Sequence, residues 1–149
     1  MGCGSNDALF EVDMFTDFEI SLGLNTIEAH YFVDNNVPTT LSTQLSNINL
    51  DPSEVSQVIP TSATLRTKFG DNVNLDFIHN VNVYIVDPVN LNDRIEIFYY
   101  EDIPFGSKSE ILLLNGISNV KERLLNNNLR IETRLEFRQF PPKTFEVAI

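Results

Sequence analysis

The sequence predicts an all-β fold, two antiparallel sheets packed as a sandwich, and three observations lead there. Apolar side chains recur at every second position through the long segments, Gly, Pro, Asn and Asp interrupt them at short intervals, and strand-like stretches never alternate with long helical ones as a parallel sheet requires. With 149 residues, 42% of them hydrophobic, the chain has the size and apolar content of one domain with a proper core. It divides into a short polar tether, residues 1–7, and a single β domain, residues 8–149.

The first strand signal runs from Ala8 to Leu22. Its even positions (Phe10, Val12, Met14, Thr16, Phe18, Ile20) are mostly apolar, and its odd positions carry Glu11, Asp13, Asp17 and Glu19. Alternation places the two sets on opposite faces of a strand. At about 3.3 Å per residue the segment is very long for one strand, so a bend or bulge near Thr16, or two consecutive strands sharing a face, is expected. A second strand, Asn25 to Val33, is expected to turn Ile27, Ala29, Tyr31 and Val33 inward and His30 outward. Further strands follow at Ser62–Phe69, Leu75–Val86, Asp93–Glu101, Ser109–Leu114, Leu129–Phe140 and Lys143–Ile149. In the longest of these, Leu129, Ile131, Leu135 and Phe137 alternate with charged residues from Arg130 to Arg138, as on a sheet with one solvated side.

Two short helices interrupt the strands in crossover loops. Asp51-Pro52-Ser53-Glu54 has a capping carboxylate, proline at the first helical position and a glutamate able to bond back to the cap. Asn119-Val120-Lys121-Glu122 opens the other, with Val120 and Leu124 on one face and the Asn126–Asn128 run as its stop. A weaker helical pattern covers Thr40 to Ser46. Seven or eight strands linked this way match an immunoglobulin-like Greek-key sandwich, although the cysteine pair and tryptophan of antibody domains are missing. A small β-barrel, which gives the same alternation, is the alternative.

Composition excludes some functions. A net charge of −11 opposes binding to nucleic acid or to anionic lipid, which needs clustered Lys and Arg. Arg130, Arg134 and Arg138 are interleaved with Glu132 and Glu136 and read as a solvated strand face. No apolar run approaches the roughly 20 residues of a membrane-spanning helix. No N-x-[ST] glycosylation acceptor occurs.

Catalytic chemistry finds little footing. The two histidines, His30 and His79, sit in no nucleophile motif, and zinc would require several His or Cys at ligand spacing. His79 falls on the core phase of its strand, which reads as a strand-end or bulge histidine with a hydrogen-bond partner. Asp71–Asp76 and Asp87–Asp93 are oxygen-rich but lack the pattern of a calcium loop, so turn chemistry is expected. The expectation is a protein without cofactor or metal and without catalytic residues. One interaction surface suggests itself: if Ile95, Ile97 and Tyr99 face inward, Phe98 and Tyr100 lie on the exposed side.

The opening MGCGSND holds the only cysteine, Cys3, between two glycines. M-G-C resembles a dual acylation start, but Asn6 stands where that motif has Ser or Thr. The stretch also resembles the start of a mature bacterial lipoprotein, with cysteine carrying the lipid and Gly4-Ser5-Asn6-Asp7 as the tether. Together with the acidic, Asn-rich, alternating strands, the helix opening at Asp51 and the C-terminal hairpin, it is similar to small β-sandwich lipoproteins of the Bacteroidota type. That resemblance implies lipid attachment at Cys3, a membrane-anchored envelope location without a transmembrane helix, and no established activity. The expected function is a non-enzymatic binding or structural module with a protein or glycan partner. The alternatives are a calcium-dependent carbohydrate-binding domain or hydrolase with an acidic cleft, and a lipocalin-like carrier of an apolar ligand.

Overall fold

The computed structural model describes residues 10–69, 72–107 and 109–149, so Cys3 and the 1–7 tether lie outside the described residues. Eight strands are present among the described residues: β1 (Asp17–Ile20), β2 (His30–Pro38), β3 (Ala63–Thr67), β4 (Ile78–Val86), β5 (Arg94–Tyr100), β6 (Glu110–Asn115), β7 (Asn128–Phe137) and β8 (Phe145–Ala148). They are joined by α1 (Leu41–Asn47), α2 (Lys121–Leu124) and two single 3-10 turns, Pro52–Glu54 and Leu75–Phe77.

The strands form one antiparallel sheet in the order β1-β8-β3-β6-β5-β4-β7-β2, not two separate sheets. Two narrow places interrupt it. β5 and β6 pair only through Phe98↔Asn115 and Tyr99↔Leu114. β1 and β2, the two ends of the order, approach each other through side chains: the Phe18 and Phe32 rings stack at 4.4 Å, and the Thr16 hydroxyl donates to Asp34 at 3.3 Å. The sheet is therefore nearly closed, as in the barrel alternative, with the gap bridged by side chains where a closed barrel would have a hydrogen-bond ladder.

Its interior is packed with side chains, among them Ile20, Leu65, Val81, Ile85 and Leu135, none more than 1% exposed. The α1 residues Leu41 and Leu45 with Val120 and Leu124 of the α2 segment close one end, and Val73, Leu75, Phe77 and Ile103 close the other. Helices this short hold only through such packing. The Thr39 hydroxyl, donating to the Leu124 carbonyl at 2.7 Å, ties α1 to α2. The turn at Pro52–Glu54 carries the expected capping box: Ser53 N–H donates to the Asp51 carboxylate, and Asp51 N–H to Glu54, both at 2.8 Å.

Phe10, Val12 and Met14 pack on the core while Glu11 and Asp13 are exposed, and Thr16 is buried where the ladder with Ile149 begins. The alternation holds from Phe10 to Ile20, but only Asp17–Ile20 is a hydrogen-bonded strand. The second strand departs from expectation in both start and phase. Asn25 Oδ1 accepts the N–H groups of Ile27 and Glu28, folding that stretch into a turn and leaving Ile27 92% exposed. From His30 onward, pairing with β7 sets the faces: Phe32 lies opposite buried Thr133 and His30 opposite buried Leu135, while Tyr31 and Val33 lie opposite Arg134 and Glu132. Tyr31 and Val33 therefore point outward and His30 inward, because residues paired across an antiparallel ladder share a face.

Candidate functional site

β5 contains the second correction of phase. Glu96 pairs with Tyr84 and Phe98 with Val83, so Ile97 is an extra residue, a β-bulge. Beyond it the alternation inverts. Phe98 and Tyr100 share a face with buried Val83 and Val81 and pack, half-buried, against the core, so they are not the exposed pair the unbroken alternation suggested. Tyr99 takes the outer side beside Asn82.

That shift assembles a surface that the sequence reading does not contain. Cross-strand pairing aligns Tyr31, Arg134, Asn82, Tyr99 and Leu114 in one row on the outer face, across β2, β7, β4, β5 and β6. A second row beside it runs Val33, Glu132, Tyr84, Glu96. Side-chain bonds lock the rows together. Arg134 donates to Asn82 Oδ1 at 3.2 Å and pairs with Glu136, Asn82 donates to Glu96 at 3.0 Å, and Asn80 donates to Glu136. Arg94 pairs with Glu132 at 3.0 Å and lies over the Tyr84 ring.

The electrostatics follow from these contacts. Partial burial opposes the Arg134 charge, but bonds with Tyr31 and Glu136 outweigh it and raise its pKa. The Asn80 bond and then Arg134 hold the Glu136 carboxyl below its ordinary range. Burial, then the Glu96 carboxylate, which is also hydrogen-bonded to the phenol, push the Tyr84 pKa up. The face thus offers aromatic rings and charges already fixed in position.

A cleft of about 540 Å³ lies at the β1–β2 gap. Its lining includes Phe15, Asp17, Asp34, Arg66, Lys68, Phe69 and Ala148. Ala148 pairs with both Asp17 and Arg66, so a methyl group stands between a carboxylate and a long guanidinium side chain at the cleft. Lys68 reaches Asp17 at 2.6 Å and Glu146 at 3.4 Å and lies over the Phe69 ring.

The histidines occupy structural positions. His79 sits at a register break in β4, as a bulge histidine, with Nε2 3.3 Å from an Asp102 carboxylate oxygen and its carbonyl accepting from Ile103 N–H. His30 stacks on Phe137 at 5.0 Å and meets the Asn25 carbonyl at 2.8 Å. In the Asp87–Asp93 loop, Asp87 accepts from Val89 and Asn90 N–H groups, and Arg123 joins Asp87 and Asp93. The Asp87 carboxylate does the turn chemistry expected of it, and that of Asp93 serves the ion pair. Asp71 of the other oxygen-rich loop lies outside the described residues, and Asp76 accepts from Gly106 and Ser107 N–H groups. Among the described residues no cluster of three or more His, Cys, Asp or Glu is placed to hold a metal ion, and no helix is long and apolar enough to cross a membrane. Compared with protein-family models, curated proteins and solved structures, the chain has no significant match.

Proposed function

We propose that this chain is a non-catalytic cell-envelope lipoprotein, anchored through Cys3, that binds a protein or glycan partner on the outer face of β2, β7, β4, β5 and β6. The observation that supports this reading is the row Tyr31–Arg134–Asn82–Tyr99–Leu114 with its bonded neighbours. Tyr and Arg provide large contact areas and directional hydrogen bonds. Holding them on rigid strands lowers the entropy lost when a partner docks. His30 and the Asp87 carboxylate are engaged in structural bonds, which favours binding over turnover.

Two measurements test the two halves. Metabolic labelling with a fatty-acid analogue should mark the wild-type chain expressed from its own gene in a bacterial host and not Cys3→Ser; an unlabelled wild type removes the anchor. A photo-crosslinking residue in place of Tyr99 should capture a partner that Arg134→Ala loses. Capture unaffected by Arg134→Ala removes the binding face.

A further inference from the structure

The cleft at the β1–β2 gap has a composition unlike the rest of the chain. We infer that it is a second binding site, for a neutral saccharide of two or three sugar units. At about 540 Å³ it has the size of a small-ligand site. On a chain of net charge −11, its four charged lining residues are two acids, Asp17 and Asp34, and two bases, Arg66 and Lys68. With Glu146 also on Lys68 the cleft is close to neutral rather than strongly charged, and it sets carboxylates beside an ammonium and a guanidinium, donors and acceptors of the kind that hydroxyl groups satisfy.

The apolar side of the same ligand is met by two phenylalanines. Phe15 is 68% exposed and Phe69 83%, so neither belongs to the core. Phe69 also holds a left-handed backbone, φ +56°, which is costly for a bulky residue. A pyranose ring presents C–H groups on one face and hydroxyls at its edge, so it uses rings and polar pairs at once. The floor at Ala148 leaves the ring room to enter between Asp17 and Arg66.

The test is saturation-transfer NMR and calorimetry on the full chain with neutral trisaccharides (cellotriose, maltotriose, mannotriose, chitotriose) and with tri-galacturonate as the charged control. Binding of at least one neutral trisaccharide at millimolar affinity is expected. It should weaken about tenfold, equivalent to about 1.4 kcal/mol, in Phe15→Ala and in Phe69→Ala. Folding of each variant is checked by thermal melting, and both are exposed positions where folding should survive. Val89→Ala, at an exposed loop position on neither surface, should bind the sugar as wild type does. No neutral trisaccharide binding up to about 10 mM, tenfold beyond a dissociation constant of about 1 mM, overturns the inference. So does tighter binding of tri-galacturonate, or binding that Arg134→Ala abolishes and the phenylalanine variants retain.

Discussion

Phe18 of β1 and Phe32 of β2 stack at 4.4 Å with their planes 22° apart, across the one place where the strand order does not close. Two residues before Phe18, Thr16 bonds to Asp34, two residues after Phe32. The two edges are therefore antiparallel and in register, aligned like a ladder whose backbone hydrogen bonds are missing. Side-chain contact keeps the exposed strand edges together, which also limits their pairing with another chain.

Phe32→Ala should accordingly cost more than its half-buried position suggests. The expected loss is about 2–3 kcal/mol from the lost ring contact and cavity. Urea denaturation gives the stability, and hydrogen exchange should show faster opening at Phe18–Ile20 than at β4. Uniform acceleration across the sheet would contradict a local seam.

Gly116 follows β6, where the sheet is held to β5 by two residue pairs. Its N–H donates to the Ile97 carbonyl at 2.8 Å, and a Cβ there would stand 2.8 Å from the Glu96 carbonyl oxygen. Gly116→Ala should therefore push β5 and β6 apart and destabilise by about 1–3 kcal/mol. An unchanged melting temperature would show that the strands yield without cost.

Asp87 supplies a pH prediction. Hydrogen bonds from the N–H groups of Asn90 and Val89, then from the Arg123 side chain, hold its carboxyl below the ordinary aspartate range. A pKa lower in the folded than in the unfolded chain stabilises the fold above the unfolded value, about 3.9, and that contribution fades as pH falls through the folded value. Asp87→Asn should lower the melting temperature at neutral pH, with the difference from wild type shrinking between about pH 5 and pH 2. A difference constant across that range would assign the effect to the turn geometry alone.

Arg138 anchors the loop after β5. Its Nη2 donates to the Ile78 carbonyl at 2.9 Å and to the Ile103 carbonyl, and its guanidinium lies over the Phe105 ring. A lysine keeps the charge and loses the planar fork. Arg138→Lys should cost about 1–2 kcal/mol and raise proteolytic nicking at residues 104–107. Wild-type resistance in the variant would leave the loop to Ile103 burial alone.

The phase of β7 was legible because nothing interrupts it: Leu129, Ile131, Leu135 and Phe137 are all buried on the inner face, and their charged neighbours take the outer one, where Glu132, paired with Arg94, is itself buried. The capping box at Asp51 was equally plain, since its bonds join residues three apart. The phase of β5 was not, because Ile97 is as apolar as an inward residue, and a bulge shows only when the partner strand is counted beside it. β2 misled for a related reason. Ile27, Ala29, Tyr31 and Val33 outnumber Phe32 on the apolar side, yet pairing with β7 decided which face was core.

The candidate surfaces lie further still from the linear chain. The row from Tyr31 to Leu114 gathers one residue from each of five strands, and the cleft joins β1, β2, β3 and β8. By itself the sequence determined that the chain is all-β, that a capping box falls at Asp51, and which face of β7 meets the core, since these rest on contacts between near neighbours. Only the tertiary structure decided that eight strands make one nearly closed sheet, and which side of β2 and β5 meets water. A side chain's face depends on the register of the strand beside it, and one inserted residue reverses that face for every residue that follows.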